Sequence, residues 1–134
     1  MKIVFKEHGT NAEAVLVAQS NEGVGVWFGP FAVGNSFARV IDRKQPIDAD
    51  MAVLRSMKNE SGAYKFSAHH IAATVAAAAQ LVLAHRLSLP KGNGALIVTD
   101  AAGTYTLLSD CAIGAVELPE TIGCYVRADY TIEY

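Results

Sequence analysis

The stretch of residues 67–87 most constrains what this chain can fold into. Its sequence, SAHHIAATVAAAAQLVLAHRL, has the length of a helix, a serine that can cap its start, and no formally charged residue before Arg86. When these residues are placed on a helix with 3.6 residues per turn, no face of the helix is polar. One apolar stripe consists of Ile71, Val75, Ala78 and Val82. Most of the remaining surface is covered by alanines, namely Ala72, Ala73, Ala76, Ala77 and Ala84. Because a helix that is apolar all round is buried, the pattern predicts that it crosses the interior of the domain or forms a subunit contact.

The composition favours a single domain spanning residues 1–134 that assembles into an oligomer. A chain of 134 residues buries about two thirds of its unfolded surface. Its charged residues make up 18% and its apolar residues 51%, with a mean hydropathy of +0.24, whereas ordinary soluble domains have roughly 25% charged residues. Because a small domain has little interior for extra apolar side chains, a protein–protein interface is the simplest place for them.

The charge pattern predicts no specific nucleic-acid partner and no membrane partner. The net charge is −2 and the isoelectric point is about 6.0, without the basic stripe of an electrostatic nucleic-acid binder. The first seven residues carry charges too early for a signal peptide, so we expect synthesis in the cytoplasm. His69, His70 and Gln80 make the alanine-rich stretch a poor transmembrane span.

Alternation and turn residues predict an α+β fold: a mainly antiparallel sheet with two or three helices, one of them the long alanine-rich helix packed on the sheet. The predicted strands are residues 2–7, 13–19, 24–28, 95–99, 104–108, 111–118 and 124–134. The predicted helices are residues 37–44 after the cap Asn35-Ser36, residues 49–57 after Asp48, and residues 67–87. A type I turn at residues 100–103 is expected to close a hairpin.

The last eleven residues alternate over an unusual length for a strand. We expect this strand to pair inside the sheet. One face, which includes Val126, Tyr130 and Ile132, is predicted to face the helices, and the other, which includes Arg127, Asp129 and Glu133, to face solvent or a neighbouring subunit.

The histidines and cysteines do not predict a metal site. His69 and His70 are adjacent, so on a helix their side chains point about 100° apart and cannot ligate one ion together. They are either hydrogen-bonded structural side chains near the first turn or groups with a proton-transfer or metal role. Cys111 and Cys124 lack zinc-ligand spacing. They are either buried thiols or a bridge between neighbouring strands, and a reducing cytosol disfavours the bridge.

The remaining candidate motifs have structural explanations, so we predict no catalytic residue and no cofactor. Asp48 and Asp50 fall where carboxylates cap a helix and stabilise its N-terminus. The glycines at residues 23–25 and 92–94 lack the helix and Lys-Ser/Thr pair of a phosphate loop. The chain contains no Gly-X-Ser-X-Gly nucleophile elbow.

The densest aromatic patch is Trp27-Phe28 beside Phe31. It fits core or interface packing, and also contact with a ligand or a partner. The residues predicted to form a subunit interface are Trp27, Phe28, Ala73, Ala77, Arg127, Asp129 and Glu133.

The C-terminal third, ALIVTDAAGTYTLLSDCAIGAVELPETIGCYVRADYTIEY, resembles the small β-rich structural proteins of tailed bacteriophage virions: tail-tube, tail-terminator, neck and capsid-decoration subunits. The hairpin around residues 100–103 and the long terminal strand after an apolar helix carry the resemblance. It implies a non-enzymatic subunit made in the host cytoplasm. In the virion it would contact further copies of itself and other virion proteins, in a ring, a tube or a shell.

Two functional hypotheses follow. The first is a structural assembly subunit, which the apolar surplus, the uncharged stretch and the long terminal strand favour. The second is a small α+β enzyme or ligand-binding protein with its site near His69, His70 and Trp27.

Overall fold

The computed structural model describes residues 1–44, 53–119 and 121–134, and in this part of the chain the protein is an antiparallel sheet with one helix. The strands are β1 Lys2–Glu7, β2 Glu13–Val17, β3 Trp27–Lys44, β4 Val53–Ile71, β5 Gly94–Asp100, β6 Gly103–Glu117, β7 Thr121–Ile122 and β8 Tyr125–Glu133, and the helix is α1 Val75–Ser88. The predicted α+β class with two or three helices is therefore wrong.

Seven of the strands are hydrogen-bonded in the order β2-β1-β5-β6-β8-β4-β3, and β7 pairs with β8. Strand β6 connects the two halves, because residues 103–111 pair with β5 and residues 112–117 pair with β8. The two ends of this order also meet: the carbonyl of Trp27 accepts hydrogen bonds from the amides of Ala18 and Gln19, and the amide of Gly29 donates to the carbonyl of Gln19. The sheet therefore curls around one core.

In the strands that border the core, buried and more exposed side chains alternate as the sequence predicts. Ile3 and Phe5 of β1 are fully buried, and Leu96 of β5 lies in the same cluster. In β8 the buried side chains are Val126, Ala128, Tyr130 and Ile132, with Arg127, Asp129 and Thr131 half-buried between them. The predicted terminal strand is confirmed within one residue at each end, and its apolar face lies inward as predicted.

The predicted helix over residues 67–87 is wrong at its start. Residues 67–71 belong to β4, where Ser67 pairs with Asp129 of β8. The helix begins only at Val75, and its cap is Thr74, whose hydroxyl accepts a hydrogen bond from the amide of Ala77 at 3.1 Å. Pairing along β8 stabilises the extended backbone here, which outweighs the local capping signal of the serine.

The expected burial of this helix on all sides is also wrong for the chain by itself. Ala78 and His85 are its buried residues. Val75, Leu83 and Leu87 are 64%, 65% and 83% exposed. The helix packs on the core by one face and presents an apolar face to solvent.

The other two predicted helices are overturned where the structure describes them. Residues 37–44 form the second half of β3 rather than a helix, and residues 53–57 of the predicted helix 49–57 lie in β4. The proposed cap Asp48 lies outside the described residues. The predicted strand 24–28 begins only at Trp27, and the predicted strands 104–108 and 111–118 are one strand, β6.

The β3–β4 hairpin extends beyond the rest of the sheet. Strand β4 pairs with β8 only from Ala63 onward, and Gly62 exchanges backbone hydrogen bonds with Tyr134. Beyond that point, residues 53–61 of β4 pair among the described residues only with residues 38–44 of β3. We call these two segments the arm. At about 3.3 Å per residue, its nine-residue strand is about 30 Å long.

Candidate functional site

The two adjacent histidines point to opposite faces of β4. His70 lies opposite Trp27 of β3 and Val126 of β8, and it is 7% exposed on the core side. His69 lies opposite Phe28 and Arg127 on the outer side. Successive side chains of a strand alternate between faces, so the predicted 100° separation on a helix becomes opposition across a sheet. In either geometry the two side chains cannot ligate one ion together.

On the core side, four aromatic side chains from four elements form what we call the inner cluster: Trp27, His70, His85 and Tyr130. The ring centroid of Trp27 lies 5.1 Å from that of His70 and 4.8 Å from that of His85. The hydroxyl of Tyr130 and Nε2 of His85 form a hydrogen bond of 2.7 Å. The inner cluster thereby connects α1 with β3, β4 and β8.

Burial favours the uncharged forms of the titratable groups in the inner cluster. It lowers the pKa of both His70 and His85, and the nearby charge of protonated His70 lowers the pKa of His85 further. A hydrogen bond with the backbone of Gly25 raises the pKa of His70 in part. Nδ1 of His70 is buried without a hydrogen-bond partner among the described residues. The pKa of the Tyr130 hydroxyl is raised, also by burial.

The inner cluster is closed to solvent. Trp27 is 9% exposed, and His70 and His85 are 7% exposed. The candidate ligand site near His69, His70 and Trp27 is therefore divided: Trp27 and His70 meet inside the core, and His69 faces outward. The sequence places Tyr130 on the inward face of its strand but does not predict its contact with His85, because 45 residues separate the two in the chain.

The outer face of the same strands carries a second aromatic group. The ring of Phe31 stacks on His69 with centroids 4.3 Å apart, and Nδ1 of His69 lies 2.7 Å from the hydroxyl of Tyr125. Phe28, predicted to share a patch with Trp27, lies on this outer side and is 6% exposed. Phe31 is 40% exposed, so it is the open part of this group.

The predicted interface charges on β8 are engaged within the chain. Nε of Arg127 donates to Oδ1 of Asp129 at 2.9 Å, and the hydroxyl of Ser67 donates to the same oxygen. The side chains of Arg127 and Asp129 are 35% and 29% exposed. Glu133, at the end of β8, is exposed. A neighbouring subunit can therefore contact only the exposed parts of these side chains.

The helix presents an exposed apolar stripe, which we call the outer helix face: Val75, Ala79, Leu83 and Leu87, each one helical turn from the next. The helix contains no acidic residue. Of the predicted interface alanines, Ala73 is exposed just before the helix, whereas Ala77 packs against the core. An uninterrupted apolar stripe of this kind is typical of a contact surface.

A groove of about 690 Å³ lies between the C-terminal half of α1 and the last residues of β6. Its apolar lining is Val82, Leu83, Leu89, Ile113, Val116 and Leu118. Arg86 and Lys91 also line it, and neither forms an ion pair with a residue that the structure describes. The sequence carries no signal for this groove, because it exists only once the helix end packs beside β6.

Both cysteines are thiols. Cys111 is buried, its Sγ lies 3.4 Å from the carbonyl oxygen of Gly94, and burial raises its pKa. Cys124 is half-buried. In the described part of the chain, no three His, Cys, Asp or Glu side chains lie together as a metal site would require. No helix among the described residues has the length and hydropathy to cross a membrane.

No protein-family model and no curated protein sequence matches this chain.

Proposed function

We propose that this protein is a non-enzymatic structural subunit that builds a larger assembly from copies of itself. The observation that carries the proposal is the arm, a two-stranded ribbon about 30 Å long that extends past the body of the sheet. A two-stranded ribbon is marginally stable on its own in water. An arm of this length therefore gains most of its stability when a partner covers it.

The edges of the arm support pairing or packing with another chain. Among the described residues, β3 is at the end of the strand order, so the outer edge of residues 38–44 has no strand beside it. Natural proteins usually shorten or cover such edges, because their free N–H and C=O groups pair readily with other chains. A long uncovered edge suits an assembly protein.

The charge distribution favours a second copy as the partner. The two strands of the arm carry five Lys or Arg residues and two acidic residues, whereas the whole chain carries 11 basic and 13 acidic residues. The arm is therefore basic and the rest of the chain acidic. Complementary surfaces on one chain promote association between copies.

The outer helix face supports the same proposal. Burying Val75, Leu83 and Leu87 against another chain would contribute up to about 1.5–3 kcal/mol each. In an isolated subunit these side chains are 64%, 65% and 83% exposed. The apolar surplus of the composition thus lies at the surface in part, where an interface can use it.

The proposed setting is the tail, the neck or the capsid surface of a bacteriophage virion. The resemblance of residues 95–134 to such proteins supports it. Its two features, the hairpin around residues 100–103 and the long terminal strand, are the β5–β6 turn and β8. In this setting the protein would contact further copies of itself and other virion proteins.

The proposal is tested by measuring the mass of the purified protein by light scattering over a range of concentrations, with negative-stain images of the same samples. We expect closed rings, tubes or oligomers of defined mass. A monomer at every concentration would overturn the proposal and favour the ligand-binding hypothesis.

A further inference from the structure

We propose that residues 45–52 of one copy bind in the groove between α1 and β6 of a second copy. This inference rests on the proposed function, since it names the surfaces through which copies would assemble. The occupant is identified by its charge and by the reach of the arm that carries it.

The segment complements the groove in chemistry. Its sequence is QPIDADMA, which has two aspartates, no cation, and the apolar residues Ile47 and Met51. The groove presents Arg86 and Lys91 beside aliphatic side chains. Cations without an ion-pair partner beside an apolar surface favour a partner that brings carboxylates together with apolar side chains.

The segment is connected to the end of the arm. It follows Lys44 and precedes Val53, and these two residues form the last described pair of the ribbon. Because both ends of the segment are attached to this pair, no residue of the segment can lie farther from the pair than half the extended length of the segment. Eight residues at about 3.4 Å each give a reach of roughly 14 Å.

The groove of the same copy lies out of that reach. Ala63, Glu133 and Ala112 form one row across β4, β8 and β6. From this row the arm extends along β4 toward lower residue numbers. The groove extends from the same row in the opposite direction, along β6 from Ile113 toward Leu118. The arm carries the segment about 30 Å away, more than twice the roughly 14 Å that the segment reaches. If this segment fills the groove, the groove therefore belongs to a second copy.

The contact has a consequence for symmetry. One copy contributes the end of its arm and the other contributes its groove, so the two surfaces differ and every copy has one of each. Such a head-to-tail contact produces a ring if the rotation between copies closes, and an open tube or filament if it does not.

The test is charge reversal on each side, followed by rescue. The variant Asp48→Lys with Asp50→Lys reverses the segment, and the variant Arg86→Glu with Lys91→Glu reverses the groove. We expect each to weaken assembly at least tenfold by light scattering, and the chain with all four substitutions to recover it. Circular dichroism melts establish that each variant is folded.

The matched control is Glu13→Lys with Glu22→Lys, which changes the net charge as much as the segment variant does. Both residues are exposed and lie on the body of the protein rather than on the arm. We expect this control to assemble as the wild type does. Assembly that is unchanged in the segment variant, or lost equally in the control, would overturn the inference.

A second measurement separates this inference from the proposed function. A peptide of residues 43–54 is titrated into the segment variant, whose groove is intact, while amide NMR shifts are followed. Shifts at Leu83 and Ile113 support the inference, whereas their absence at millimolar peptide overturns it. A wild-type protein that is monomeric throughout overturns the proposed function, whatever the peptide does.

Discussion

The hydroxyl of Tyr130 lies 2.7 Å from Nε2 of His85, and this buried hydrogen bond connects β8 with α1. Tyr130 is 1% exposed and His85 is 7% exposed, so water does not replace either partner. His85 and Ala78 are the buried residues of the helix. This bond and the ring of Trp27 beside it therefore attach α1 to the sheet, together with the packing of Ala78, Leu81 and Val82 against the core.

Replacing Tyr130 by phenylalanine removes the hydroxyl and leaves Nε2 of His85 buried without this partner. We expect the free energy of unfolding to fall by about 1–3 kcal/mol. The free energy of unfolding of each variant is measured by urea denaturation. The control is Tyr105→Phe, which removes a surface hydroxyl that donates to Asp100 at 3.2 Å and should change stability little. Equal losses in the two variants would contradict the structural role of the buried bond.

Stability should decrease under mild acid. The pKa values of His70 and His85 are lower in the folded protein than the ordinary 6.5, chiefly because of burial. Between the folded and unfolded values the unfolded chain binds more protons. The stability due to the neutral histidines is therefore fully present above about pH 6.5 and is lost as the pH falls through the folded pKa.

Melting temperatures between pH 8 and pH 5 test this dependence. We expect His85→Gln to flatten the profile relative to wild type, because it removes one of the two buried titrating groups. His8→Gln is the control, since the His8 side chain is 54% exposed. A wild-type profile that is flat over this range would contradict the prediction.

Gly94 allows close approach of β1 and β5. A Cβ at this position would lie 2.2 Å from the carbonyl oxygen of Lys6, which is backbone and cannot rotate away. We expect Gly94→Ala to lower stability by about 1–3 kcal/mol, as overpacking does. Gly34→Ala is the matched control in a strand, because nothing lies within 4 Å of its added Cβ. Thermal denaturation of both variants distinguishes a local clash from a general cost of replacing glycine.

The two alanines at the start of the helix should respond differently to charge. Ala77 packs against the core, so Ala77→Glu should lower the melting temperature. Ala73 is exposed before the helix, so Ala73→Glu should leave the monomer as stable as wild type. Differential scanning fluorimetry measures both. Equal destabilisation would indicate that the helix begins earlier than Val75.

The sequence predicts strands well where one face borders the core. The bounds of β1 are those predicted, and β5 and β8 differ by one residue at each end. Apolar and polar residues alternate along these strands because one face of each strand is buried and the other is exposed to solvent. Residues 31–38 of β3 are all exposed, so buried and exposed side chains do not alternate along this part of the strand. In the absence of that pattern, the capping signal at Asn35-Ser36 predicts a helix instead.

The sequence alone determined the antiparallel character of the sheet, the turn at residues 100–103 and the inward face of β8, because alternation and turn chemistry are local. Only the tertiary structure decided that residues 67–71 are strand, that His69 and His70 face opposite ways, and that His85 meets Tyr130. Each of these depends on a partner at least 45 residues away in the chain. No local pattern encodes which distant strand supplies that partner, so pairing overrides propensity where the two disagree.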